Sequence, residues 1–182
     1  MEEIWKRIEA WLDAHAPEMQ DDLLPGATPE EIKAAEESMH IKLPSDVKDS
    51  YLIHNGQNTI GAYLIGDWQL LPLKDMLGQW ENLRKSSNES ADVKGEPHGP
   101  VRDDWWNPKW IPFAYDGAGD FYCVDLDPPS EGTVGQVISY WHVDEKRERL
   151  AQSFQEWLKG YADDLEDGKY KVEEDGLVKD EA

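Results

Sequence analysis

The period of the apolar residues changes part-way along this chain, and that change decides the class of fold open to it. Ile4, Ile8, Trp11 and Leu12 recur at helical spacing and put one apolar stripe on residues 2–16, ahead of Pro17. Thr28-Pro29-Glu30-Glu31 reads as an N-cap, a proline at the first helical position and a capping-box glutamate. Ile32, Ala35 and Met39 follow on one face, which predicts a helix over 29–39. A third helix is expected after Leu43-Pro44, with Ser45 as its cap, Val47, Ser50, Tyr51 and His54 on one face, and Asn55-Gly56 as a left-handed stop. Three helices therefore precede any strand.

Beyond them the pattern shortens. Tyr63, Ile65, Trp68 and Leu70 lie in β-favouring runs broken by Gly61 and Gly66, which predicts one or two strands between 60 and 72. Leu73, Met76, Leu77 and Trp80 then restore helical spacing over 74–86. Trp110–Tyr115 and Phe121–Val124 read as a hairpin around Asp116-Gly117-Ala118-Gly119-Asp120, with Pro112 near an edge; Val134–Trp141 and Arg147–Ala151 supply further strands. Ser153-Phe154-Gln155-Glu156 opens a last helix with Phe154, Trp157, Leu158, Tyr161 and Leu165 on one face. The expectation is an α+β fold: a twisted antiparallel sheet packed by N-terminal and C-terminal helices.

One domain is expected over 1–168, interrupted by a polar, exposed insertion at about 84–108 that carries Ser86, Ser87, Asn88, Gly95 and Pro97. Residues 169–182 are read as an acidic tail, either a weak hairpin or disordered, with Asp175-Gly176 as a turn signal. At 182 residues with nine tryptophans the chain has material for a real core.

Charge and cysteine narrow the setting. The 39 acidic against 18 basic residues give a formal −21, a field that repels phosphate backbones and anionic lipid, so neither direct nucleic-acid nor membrane binding is expected. The same field favours encounter with a protein of basic surface. The lone Cys123 leaves no intrachain disulfide, the first sixteen residues do not read as a signal peptide, and no apolar run approaches the roughly 20 residues a membrane span needs. A cytoplasmic location follows as an expectation.

Certain residues carry a resemblance. Leu24-Pro25-Gly26-Ala27, Thr28-Pro29-Glu30-Glu31-Ile32 with Glu36, Leu43-Pro44-Ser45-Asp46-Val47, Tyr51 and His54-Asn55-Gly56 resemble the N-terminal half of the SUKH superfamily. Trp110-Ile111-Pro112-Phe113-Ala114, the 116–120 turn, Val124-Asp125-Leu126 and Gly135-Gln136-Val137-Ile138 are similar to its sheet motif, and the match spans about residues 20 to 165. The subgroup most resembled contains fungal cell-wall (glucan) synthesis regulators and their bacterial relatives. The resemblance implies an α+β fold and a role without catalytic residues. In bacterial members that role is an immunity protein neutralising a polymorphic toxin, often a nuclease; in fungal members it is a signalling scaffold. The chain departs from the compact pattern in the polar insertion and the acidic tail.

Catalytic chemistry finds little support. Asp116, Asp120, Asp125 and Asp127 lie close in sequence, but an EF-hand needs oxygen ligands where Ala118 stands and a glutamate where Asp127 stands. A hairpin turn explains Asp116 better, its carboxylate bonding backbone amides. His15, His40, His54, His98 and His142 show no zinc-ligand pairing, His54 reads as a helix-end residue, and Cys123 reads as a buried apolar side chain. No Gly-x-Ser-x-Gly or phosphate-cradling loop occurs. No cofactor and no metal is expected.

The candidate partner-binding residues are Trp68, Asp103, Asp104, Trp105, Trp106, Asp116 and Asp120. Among them Trp105 and Trp106 are read as an exposed aromatic pair flanked by acids, in the manner of a protein hot spot. Sugar stacking is the other use of paired aromatics, with nothing else in the sequence in its favour. The leading functional expectation is a bacterial immunity protein bound to a cognate toxin. The alternative is a regulatory scaffold in cell-wall or glucan synthesis, and the third a metal-dependent hydrolase.

Overall fold

The first apolar stripe becomes α1 (Glu2–His15), which buries Ile4, Trp5, Ile8 and Leu12. Pro17 ends it and opens a short α2 (Pro17–Asp21), which the stripe did not announce; a proline costs no backbone bond at a helix's first position. In the computed structural model residues 1–58, 61–86, 93–173 and 176–179 are described. α3 (Pro29–Met39) starts with the expected capping box: the Thr28 hydroxyl accepts the Glu31 amide at 3.2 Å, and the Glu31 carboxylate accepts the Thr28 amide at 2.7 Å.

α4 (Ser45–Tyr51) is shorter than read, with Pro44 rather than Ser45 at its cap. His54 and Gly56 lie beyond it. The reason is tertiary: the Leu24–Ala27 segment takes the groups that another helical turn would use. The Ala27 amide donates to the Tyr51 carbonyl at 2.7 Å, and the Asn55 amide to the Pro25 carbonyl at 3.1 Å. His54 instead bridges two elements, its ring nitrogens lying 2.7 Å from the Glu9 carboxylate and 3.0 Å from the Leu24 carbonyl. Gly56 keeps its left-handed conformation at φ 71°, and a Cβ there would stand 2.5 Å from the Pro72 nitrogen.

Six strands form one sheet: β1 (Gln69–Leu70), β2 (Glu96–His98), β3 (Trp110–Tyr115), β4 (Phe121–Asp125), β5 (Gln136–Tyr140) and β6 (Lys146–Ala151). Their order is β1-β3-β4-β5-β6-β2, antiparallel except that β2 lies parallel to β6. The expected strands between 60 and 72 reduce to β1 and isolated bridges at Tyr63 and between Ile65 and Trp68; Ile60 lies outside the described residues.

The polar insertion is corrected most. Arg84–Ser86 complete α5 (Leu73–Ser86), residues 96–98 are the edge strand β2, and Val101, Trp106 and Asn107 are buried. All three side chains of β2 are exposed, so no apolar alternation marks it. Ser87 and Asn88 lie outside the described residues.

α6 (Phe154–Glu166) is capped by Ser153, whose hydroxyl accepts the Glu156 amide at 3.0 Å. Arg7 of α1 forks onto it, with Asp163 at 2.7 Å and Glu166 bound through two nitrogens. The end of the chain forms a hairpin, β7 (Tyr170–Glu173) and β8 (Gly176–Lys179), of which Asp175 lies outside the described residues. This hairpin is fastened: Leu177 is buried and its amide donates to the Tyr63 carbonyl at 3.0 Å.

A carboxylate steadies the N-terminal half. Glu36, buried on α3, accepts the Leu43 amide at 2.8 Å and holds Lys42 at 3.0 Å, with Lys48 at 3.8 Å. Burial alone would raise its pKa, but Lys42, the Leu43 amide and Lys48 outweigh burial and hold it below the usual value of 4.5.

Two predictions follow from these contacts. A carboxyl whose folded pKa is depressed adds stability above its unfolded value that is lost as pH falls through the folded one. Resistance to urea should therefore fall on acidification below 4.5, and Glu36→Gln should flatten that slope. At neutral pH the same change should cost about 1–3 kcal/mol. Gly56→Ala should lower unfolding free energy by at least about 2 kcal/mol, because the backbone is left-handed and the space is filled; chemical denaturation measures it.

Candidate functional site

Neighbouring residues on a strand point to opposite faces, so Phe121 and Tyr122 of β4 serve different sides of the sheet. Tyr115, Phe121 and Tyr140 sit side by side across β3, β4 and β5 and, with Trp105 and residues of α5, line a cleft of about 470 Å³. Tyr122 faces the other side. There it stacks on Trp68 with ring centroids 3.9 Å apart and meets the edge of Trp157 from α6 at 6.0 Å. These rings, with Tyr170 of β7, line a larger groove of about 1120 Å³ bounded by α6, the terminal hairpin and the 65–68 loop.

The expected partner-binding residues do not converge. Trp68 is largely buried and belongs to the larger groove. Trp105 is half-buried and lines the smaller cleft, whereas Trp106 is buried at 8% exposure, so the two are not an exposed pair. Trp106 turns inward with Val101 and Asn107, which makes it part of the core. Asp103 is exposed beside Lys94 at 3.3 Å, and Asp104 accepts the Asn107 amide group at 2.9 Å.

Asp116 is a turn residue: one carboxylate oxygen accepts the amides of Ala118, Gly119 and Asp120 at 2.8, 3.0 and 2.9 Å. Asp120 holds His142 through its main-chain amide at 2.7 Å and a ring nitrogen at 2.8 Å. Ser86, the hydroxyl lining the same cleft, donates instead to the Leu83 carbonyl of its own helix at 3.1 Å. Among the described residues no group of three His, Cys, Asp or Glu converges as a metal would require.

Other polar groups the sequence drew attention to are structural. Asp125 is buried, accepts the Asp127 amide at 2.9 Å and the Gln136 side-chain amide at 2.9 Å, and burial is the chief cause that raises its pKa. Gln136 also donates to the Pro100 carbonyl at 2.8 Å, tying the segment before β3 to the sheet. Burial likewise pushes the Cys123 thiol up, away from nucleophilic character.

Sequence reading missed Arg147. It is fully buried on β6, its guanidinium 4.9 Å from the Trp105 ring and 4.5 Å from the Tyr140 ring. It donates to the carbonyls of Trp105, Asp144 and Lys146 at 2.8 Å each, so it supports the floor of the smaller cleft without ion-pairing to a carboxylate among the described residues. The aromatic lining of the larger groove was also missed as a surface, since Trp157 and Tyr161 fit a core stripe. Gly160, in the interior of the same helix but off that stripe, was the available signal. Arg147→Lys should cost about 2–4 kcal/mol by thermal or urea unfolding, because a point ammonium cannot serve three separated carbonyls and two rings together.

Residues 26–160 match the SMI1 / KNR4 family (SUKH-1). Among relatives, "Cell wall biosynthesis/cell cycle regulator smi1" of Schizosaccharomyces pombe is 30% identical over 95% of this chain and 38% of its own length. "Cell wall assembly regulator SMI1" of Saccharomyces cerevisiae is 26% identical over 94% of this chain and 41% of its own. "Glucan synthesis regulatory protein" of Neurospora crassa is 26% identical over 94% of this chain and 39% of its own. The chain thus spans roughly two-fifths of the length of these relatives. They overturn the expectation of a bacterial immunity protein, since the named relatives are fungal wall and glucan regulators, in line with the alternative. The matched residues contain the α3 capping box, the Gly56 turn and the β3–β6 core of the sheet, and the chain belongs to the SMI1/KNR4 (SUKH-1) family.

Proposed function

We propose that this chain is a non-catalytic binding module that regulates cell-wall assembly, through glucan synthesis, by contact with another protein. The observation that carries the reading is the larger groove: an aromatic floor of Trp68, Tyr122 and Trp157, open to solvent, beside side chains whose polar groups are engaged in holding the fold. The Asp116 and Asp120 carboxylates, the residues nearest to acid–base chemistry, hold a turn and a histidine. The names of the fungal relatives support the wall-related role.

The partner is a protein with a basic surface, because the formal charge of −21 raises its encounter rate and repels nucleic acid and anionic lipid. No helix among the described residues is long and apolar enough to cross a membrane. A cytoplasmic setting is supported by Cys123, which is buried and unpaired.

Disruption of the gene in its native host tests the reading. The expected outcome is an altered β-glucan fraction in the wall by linkage analysis and greater sensitivity to a wall-binding dye, both reversed by reintroducing the chain. Unchanged glucan content and unchanged dye resistance would overturn it.

A further inference from the structure

We propose that the larger groove docks an extended, lysine- or arginine-bearing segment of the partner protein, laid along α6 across Gly160. The inference deepens the reading of the chain as a binding module and rests on it. Gly160 stands in the interior of α6, exposed, with an ordinary helical backbone and nothing within 4 Å of where a Cβ would stand. Glycine weakens a helix relative to alanine. Gly78 of α5 is equally unconfined, but Gly160 lines the larger groove and Gly78 lines neither it nor the smaller cleft. What the missing side chain gives at Gly160 is room for a backbone to approach the helix.

The dimensions suit a peptide. From Glu156 to Asp164 the helix runs about 12 Å at its usual rise, the span of about four extended residues. The groove's volume of about 1120 Å³ exceeds that of most small-molecule pockets.

Charge selects the occupant. Asp67, Glu156, Asp163 and Asp164 line the groove with Lys159 and Lys179; Asp163 already pairs with Arg7 and Lys159 and Asp164 with Lys169 and Lys179, which leaves Asp67 and Glu156 to meet an incoming cation. The groove already holds one ammonium in the manner proposed: Lys179 Nζ lies 2.7 Å from Asp164 and 5.6 Å from the Tyr170 ring centroid. A carboxylate beside an aromatic face is a favourable seat for a cation. Asp67 is exposed and makes no ion pair among the described residues, and its charge, after burial, helps push the Tyr122 phenol up to about 12. A cationic side chain entering over Trp68 and Tyr122 would meet that charge. A second copy at −21 would be repelled.

A displayed random dodecapeptide library, panned on the full chain at low salt, tests the proposal. Enriched sequences should be rich in Lys or Arg, and one of them, made synthetically, should bind with affinity that falls as salt rises. Gly160→Met, whose Cβ falls in open space and which improves helix propensity, should weaken that peptide at least about tenfold with the melting temperature retained. Asp67→Lys, at an exposed position, should weaken it as well. Enrichment of neutral or acidic sequences, no enrichment, or a basic peptide indifferent to both substitutions would overturn the proposal. Such a failure leaves the wall-glucan measurement standing. Unchanged glucan in the disrupted host, with peptide binding intact, would sink the regulatory role instead.

Discussion

In β3 the chain inserts Phe113 between Pro112 and Ala114, whose partners on β4 are Cys123 and Tyr122. Ordinary alternation would send Phe113 and Tyr115 to the same face. The bulge separates them: Phe113 packs against Phe154 and Trp157 of α6 at 5.1 and 4.8 Å, while Tyr115 stacks on Phe121 at 4.8 Å on the opposite side. The Phe113 carbonyl also accepts the Leu71 amide at 2.8 Å, just past β1. One residue thus links the sheet, the segment that follows β1 and α6. Without that extra residue the aromatic floor would lose its support from below, since bulges re-aim side chains in this way.

The buried polar groups perform the corresponding service for the loops. Gln57 is almost fully buried; its side chain donates to the Ala62 carbonyl at 2.7 Å and accepts the Leu70 amide at 2.9 Å, giving an irregular segment the partners a helix or strand would have supplied. Asp125 and Gln136 do the same between β4, β5 and Pro100. Such groups are costly to bury unless satisfied, and Gln57, Asp125 and Gln136 are satisfied by backbone or a neighbouring side chain. This is why clustered acids and amides in the second half of the sequence look like chemistry and serve architecture.

What the sequence made legible follows from where local rules act alone. The Thr28 and Ser153 caps, the stripes of α1 and α5 and the alternating aromatic strands are local, and they fold as read. α4 ends early because Ala27, distant in sequence, captures the carbonyl of its last residue, Tyr51. β2 pairs through its backbone with every side chain exposed, so it carries no pattern to detect. Trp106 and Arg147 were out of reach for a related reason: an aromatic in a polar stretch and an arginine on a short strand declare their burial only when β6 and the segment before β3 are brought together. The candidate site fared least well, because Trp68 and Tyr122 meet across 54 positions of chain that no periodicity connects.

On α6 the side that packs into the core and the side that lines the larger groove are separate. Phe154, Leu158, Tyr161 and Leu165 are buried and fix its position, and Arg7 clamps its far end. Glu156, Lys159 and Gly160 lie on the exposed side, where substitution changes the groove and leaves the core in place. Trp157 is the exception, half-buried between the two sides and touching both Phe113 and Tyr122. A change there would disturb floor and core together. Substitutions at Gly160, Lys159 and Asp67 therefore alter the groove's surface, while the ring cluster beneath them is held by packing.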